Sequence, residues 1–153
     1  GKTLEILEIG DLPLYNDDLW HDGRGPEPVE RMRAQIAAAD GVLLVTPEYN
    51  NGIPGVFKNA IDWMSRGEGL GLFVGKPVAV IGASPGGFGT ILAQNAWLPV
   101  FRTLGTRPWF GGRMMVSRAH TLMDADHELE NAETRKQLAS FLSGFVDFVR
   151  AGD

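Results

Sequence analysis

Two short apolar runs constrain this chain more than anything else in it. Val42-Leu43-Leu44-Val45 is closed by Thr46-Pro47, and Val78-Ala79-Val80-Ile81 lies between Lys76-Pro77 and Gly82-Ala83-Ser84. Neither run alternates apolar with polar residues, so each predicts a strand covered on both faces, the pattern of a parallel sheet. Parallel neighbours need a crossover, and Val56, Phe57, Ala60, Ile61 and Met64 recur at helical spacing after Pro54-Gly55 to supply one. Val29, Met32, Ile36 and Ala39 predict an earlier helix ending at Asp40-Gly41. A third helix is expected over residues 91–104, with Pro99 inside it as a kink or a break. Leu138, Phe141, Leu142, Phe145, Val146 and Val149 give the stripe of a long closing helix. Leu4, Ile6 and Ile9, with Leu7 between, predict a first strand running to Gly10-Asp11, and Met114-Met115-Val116 a weaker last one. The turn formers between residues 11 and 27 make a surface loop. Strand and helix alternate along the chain, which predicts an α/β sheet with helices on both faces.

At 153 residues, the expectation is one domain spanning positions 1–153. The net charge of −5 leaves no basic stripe to neutralise a phosphate backbone, which argues against nucleic acid as a partner. With no cysteine, thiolate metal sites and a cysteine nucleophile are excluded, and redox chemistry must come from a bound cofactor. No apolar run approaches the roughly 20 residues of a membrane span, and residues 1–10 lack the pattern of a signal peptide, so the expected compartment is the cytoplasm. His21, His120 and His127 have no metal-ligand spacing, and no metal is expected. Ser84 stands outside a G-x-S-x-G elbow, which argues against a hydrolase.

In open parallel sheets ligands bind beyond the carboxyl ends of the strands, which directs attention to residues 46–55 and 84–89. Thr46-Pro47-Glu48-Tyr49-Asn50-Asn51-Gly52-Ile53-Pro54-Gly55 carries two prolines and two glycines in its passage from strand to helix, so its shape is stiff. A rigid loop offers backbone N–H and C=O groups to the edge of a flat ring at low entropic cost, and Tyr49 adds an aromatic face or a hydroxyl. Ser84-Pro85-Gly86-Gly87-Phe88-Gly89 combines three glycines with a serine, so a planar group can approach its backbone closely. Proline and glycine at strand ends are also how any α/β protein turns corners, and on composition alone that reading is the commoner one.

Thr46-Pro47-Glu48-Tyr49-Asn50, followed by Ile53-Pro54-Gly55-Val56-Phe57-Lys58-Asn59-Ala60-Ile61-Asp62-Trp63-Met64-Ser65-Arg66, resembles the signature of the NADPH-dependent FMN reductase family, which includes chromate, quinone and azo-dye reductases. Gly82-Ala83-Ser84-Pro85-Gly86-Gly87-Phe88-Gly89 resembles the family's second flavin loop, and Asp11-Leu12-Pro13-Leu14-Tyr15-Asn16 the segment after its second strand. The resemblance implies a flavodoxin-like, doubly wound parallel sheet of strand order 2-1-3-4-5, with FMN at the switch point and NADPH or NADH as co-substrate. It further implies ping-pong hydride transfer through flavin N5 to a small-molecule electron acceptor, in a homodimer or homotetramer with the flavin near a subunit boundary. Carried over by position, Pro47, Glu48, Tyr49 and Asn50 surround the isoalloxazine, while Ser84, Gly86 and Gly87 line its far side. No residue is implied as an acid, base or nucleophile, since the cofactor performs the hard step.

One departure from the family pattern matters. Family members begin with a strand and a serine-rich loop that holds the FMN phosphate at a helix N-terminus, and this sequence opens at what resembles the second strand. A sheet without that central strand has two unpaired ladders, so the expectation is either a piece of a longer protein or a rearranged sheet. Arg66, closing the helix that starts at the first loop, is the candidate for meeting an anionic substrate or the NADPH phosphate, with an ordinary helix-end cation as the equal alternative. Trp97 is expected at a subunit contact. Two further readings stay open at this point: an FMN electron carrier that serves a protein partner, and a non-catalytic domain that has lost its flavin.

Overall fold

In a computed structural model, which describes residues 3–152 without the side chain of residue 68, the two apolar runs pair as neighbouring strands of a parallel sheet. Strand β1 (Val42–Thr46) and strand β2 (Pro77–Ala83) run in register from Val42 opposite Val78 to Thr46 opposite Gly82. Beyond β2 lie β3 (Arg107–Pro108) and β4 (Met115–Val116), both parallel to it. They occupy one line along β2, because Pro77 and Val78 face β3 whereas Gly82 and Ala83 face β4. The residues between leave the ladder and rejoin it, with the Trp109 N–H donating to the Val78 carbonyl at 2.8 Å and the Gly82 N–H to that of Met114 at 3.1 Å. The pair Arg107-Pro108 has no apolar pattern, so β3 had no signal in the sequence.

Among the described residues four α-helices flank the sheet: α1 (Glu27–Ala38), α2 (Gly55–Met64), α3 (Ile91–Thr103) and α4 (Ala132–Ala151). The first three bury Val29, Met32, Ile36, Ile61, Trp63, Met64, Trp97 and Phe101 with Leu44 and Val78 on one face of the sheet. Truncating an aromatic packed this deeply costs about 3–5 kcal/mol, so Trp63 and Trp97 are the largest single contributors to this core. The opposite face is covered by α4, whose Phe141 and Phe145 pack on Ala79, Ile81 and Met114, with Trp109 against both phenylalanines. Pro99 neither breaks nor ends α3. It stands on the exposed side of the helix, where the carbonyl that its missing N–H leaves free is within reach of solvent.

Three expectations need correction. The first strand does not form: residues 4–9 join no ladder among the described residues, Leu4 and Ile6 stand in solvent, and Leu7 and Ile9 rest on the core. A ladder needs a neighbour, and among the described residues no strand pairs with this segment or with the outer edge of β1. Second, β1 is covered on both faces over only part of its length. Leu44 and Thr46 are buried on one face, and on the other Leu43 is half-buried against the α4 cluster, but Val45 beyond it is 61% exposed. Third, Trp97 is no surface contact; it is fully buried against Phe57 and Phe101, and the exposed residue is its neighbour Leu98, roughly 100° further round the helix.

Candidate functional site

Parallel strands all end at the same edge, so the segments that follow β1, β2 and β4 emerge side by side. Thr46 lies opposite Gly82 and Ala83 opposite Val116, which sets the two glycine- and proline-rich loops on adjacent tips. In the first loop Tyr49 and Gly52 exchange both backbone hydrogen bonds, at 3.0 and 3.2 Å, around Asn50 and Asn51 at φ 50° and 62°. Two successive positive φ values in a two-residue connection are the pattern of a type I′ turn, which asparagine tolerates better than other residues with a side chain. The turn projects Tyr49, 59% exposed, and leaves Pro47 and Asn50 facing solvent. Glu48 points the other way. Its Oε2 accepts from the N–H groups of Leu92 and Ala93, at 2.9 and 3.0 Å, and so caps the start of α3.

That cap joins the two loops mechanically, because α3 begins where the second loop ends. Within the second loop the buried Ser84 hydroxyl donates to the Gly89 carbonyl at 2.7 Å and accepts from the Gly86 N–H at 3.2 Å. The segment after β4 braces it from outside, with the Arg118 N–H donating to the Gly86 carbonyl and that of Ala119 to the Ser84 carbonyl, both at 3.0 Å. Two glycines are obligatory here. A Cβ on Gly82 would fall 2.1 Å from the Thr46 carbonyl oxygen, and Gly89, at φ 62°, backs onto the Met115 carbonyl at 2.8 Å from a would-be Cβ.

Of the residues singled out from sequence, the fold therefore gathers Pro47, Glu48, Tyr49, Asn50, Ser84, Gly86 and Gly87 on adjacent tips at one edge. Glu48 and Ser84 spend their side chains on holding the loops, so what they offer a ligand is backbone. Arg66 is not part of this group. It follows the far end of α2, about 15 Å along the helix from the first loop, and its guanidinium lies 5.5 Å from the Tyr15 ring centroid. Its carbonyl accepts from the Arg33 guanidinium. The same region is tied down by Asn59, which receives the Tyr15 N–H at 2.8 Å and donates to the Pro13 carbonyl at 2.9 Å, a carbonyl that Trp63 Nε1 also meets at 2.7 Å.

The sequence profile of the NADPH-dependent FMN reductases matches residues 1–121. The chain belongs to this family. A 2-hydroxy-1,4-benzoquinone reductase of a Burkholderia species is 39% identical over 97% of this chain and 80% of its own length. An NAD(P)H-dependent FMN reductase of Pseudomonas aeruginosa is 41% identical over 98% of this chain and 80% of its own. Among solved structures, the flavoenzyme NAD(P)H:(acceptor) oxidoreductase FerB of Paracoccus denitrificans superposes with a TM-score of 0.85 at 41% identity, covering 97% of this chain and 80% of the other.

As a member of the FMN reductases, the chain is an NAD(P)H-dependent oxidoreductase of flavodoxin-like fold with FMN as its cofactor and a small molecule as electron acceptor. The loops suit that cofactor. Among the described residues no hydrogen bond engages the backbone N–H of Asn50, Gly87 or Phe88, so exposed donors stand ready on both tips for the ring's edge acceptors. No helix among the described residues is long and apolar enough to cross a membrane. Arg118 was missed by sequence reasoning. Its position depends on how the chain returns to the second loop after β4, and nothing local in Ser117-Arg118-Ala119 announces that return.

Proposed function

We propose that this flavin reductase draws electrons from NAD(P)H and delivers them to quinones, with hydroxyquinones as the first class to try and chromate and azo dyes as further acceptors. The observation that supports this most is the open edge formed by the two loop tips, where unengaged N–H groups stand beside the exposed ring of Tyr49. The Burkholderia relative is a reductase of a hydroxybenzoquinone, which favours a flat, oxygen-rich acceptor over a bulky one. FMN, when bound, supplies the hydride chemistry. The chain's own share is to position the ring: Pro47, Glu48, Tyr49 and Asn50 on one side and Ser84, Gly86 and Gly87 on the other, with Glu48 and Ser84 acting by fixing loop shape. Arg66 holds the loop at Tyr15 in place, and we assign it no contact with substrate within its own subunit.

The working unit we envisage is a single domain in the cytoplasm, assembled as a homodimer or homotetramer. On α3 the residues Ile91, Leu92 and Leu98 are exposed on one side, and Phe88, 84% exposed, continues the patch to the second loop. An apolar stripe of this kind beside a binding edge suits burial against a second copy, which would set the cofactor near a subunit boundary. Leu98→Lys is expected to shift the protein to a smaller species in light scattering after gel filtration.

The decisive experiment is an absorbance scan after adding FMN, followed by NADPH oxidation with 1,4-benzoquinone. Flavin bands at about 450 nm that stay with the protein through gel filtration, and NADPH consumption that needs the quinone, are the expected results. A protein that retains flavin but oxidises no nicotinamide is an electron carrier, and one that takes up no flavin has lost the function altogether.

A further inference from the structure

Arg118 is the one charged side chain at the site edge whose backbone conformation works against it. It sits at φ 47°, ψ 41° in the left-handed region, where a Cβ crowds the backbone and which glycine occupies freely. The conformation has a purpose for the backbone, since it lets the N–H groups of Arg118 and Ala119 reach the carbonyls of Gly86 and Ser84 in succession. Glycine would serve that purpose with less strain. What arginine adds is its guanidinium, which lies over the second loop: a Cβ built on Gly87 would stand 4.0 Å from Nη2. The side chain is exposed, and among the described residues it forms no ion pair. An unpaired cation held by a strained backbone on the lip of a binding edge is the pattern of a group kept for a ligand.

We propose that Arg118 is a specificity-determining residue that receives an oxyanion of one of the two substrates at the outer lip of the Ser84–Gly89 loop, an inference that rests on the flavin-reductase reading. Two substrates carry suitable chemistry. The 2′-phosphate of NADPH is one, and the ionised oxygen of a hydroxyquinone, a vinylogous acid at neutral pH, is the other; a guanidinium fork matches either. The edge on which Gly86 and Gly87 lie is open to solvent, so the fork can meet a group bound outside the cleft proper without being drawn into the ring site.

The test compares the parent with Arg118→Gly and Arg118→Lys on two matched pairs of substrates. NADPH against NADH, with benzoquinone as acceptor, reads the phosphate. 2-Hydroxy-1,4-benzoquinone against 1,4-benzoquinone, with one donor held fixed, reads the acceptor. The expected result is a rise of about tenfold in KM for the charged member of one pair in Arg118→Gly, a smaller change for its uncharged counterpart, and partial recovery in Arg118→Lys. A merely structural role predicts the opposite pattern, with both members of both pairs shifted together and the lysine variant no better than the glycine. That outcome overturns the proposal. Calorimetric titration of adenosine 2′,5′-bisphosphate and of naphthoquinone-2-sulfonate into each variant keeps the question separate from turnover. Affinity for one of them that falls about tenfold in Arg118→Gly supports the inference even if the parent fails to consume NADPH. No binding of either probe to the parent, or equal affinity in parent and variant, removes it even if the parent is an active reductase.

Discussion

The two loops at the site edge reach rigidity by different routes. The loop after β1 is stiff from within: its prolines fix φ, and Tyr49 and Gly52 close a two-residue turn on themselves. The loop after β2 is stiff from without, held by the Ser84 hydroxyl, by the Arg118 and Ala119 N–H groups, and by contacts at Gly82 and Gly89 that exclude any side chain. Glu48 couples them by capping α3 from the first loop. A self-contained loop carries its instructions in adjacent residues, whereas a braced loop distributes them over segments far apart in the chain. The first loop is therefore expected to tolerate single changes better than the second.

The sharpest way to break this contrast is Gly82→Ala. The new Cβ would meet a backbone oxygen of β1 at 2.1 Å and Thr90 Oγ1 at 2.4 Å, and neither β1 nor the buried Thr90 can withdraw without opening the β1–β2 ladder. A loss of about 3 kcal/mol or more is expected in urea unfolding, with flavin binding lost in the same variant. Ser84→Ala comes next. It leaves the Gly89 carbonyl without its donor inside the protein, and the expected cost is about 1–3 kcal/mol together with weaker retention of FMN on gel filtration. Glu48→Gln keeps one acceptor oxygen at the α3 start but removes the charge that complements the helix end, so a loss of about 0.5–1 kcal/mol is expected. If Glu48→Gln proves as damaging as Ser84→Ala, the first loop depends on its partner as much as the second does, and the contrast fails.

The same division explains what the sequence made legible. The apolar runs announced β1 and β2, and helical spacing announced α1, α2 and α4, because each pattern repeats within one element; α3 was expected over residues 91–104 without such a stripe. Residues 46–55 and 84–89 stood out because proline and glycine cluster in them. The strand pair β3 and β4 was only half visible: Met114-Met115-Val116 is apolar, while Arg107-Pro108 is drawn into the ladder by pairing with Pro77 and Val78. Residues 4–9 carried a strand pattern that no ladder among the described residues completes. Arg66 drew attention by its place in a motif, and only the length of α2 shows how far from the first loop it stands. Arg118 drew none, because its relation to Gly86 and Gly87 arises from chain return rather than from neighbouring residues.

The smallest expected effects sharpen the comparison most finely, because both relieve strain. Asn51 and Arg118 each hold a positive φ, one inside the self-closed turn and the other on the brace of the second loop. Asn51→Gly replaces a residue that already tolerates the left-handed region, so a gain of about 0.3–0.5 kcal/mol is expected, a rise in Tm of roughly 1–2 °C for a chain this size. Arginine has no such tolerance, and Arg118→Gly is expected to gain more, about 1 kcal/mol or roughly 2–4 °C, provided that its backbone hydrogen bonds to the second loop survive. Thermal unfolding of both variants without substrate reads the two values directly. A larger gain at Asn51 than at Arg118 would mean that the strain sits in the self-closed loop, and that the brace around Gly86 is relaxed in a conformation arginine finds easy.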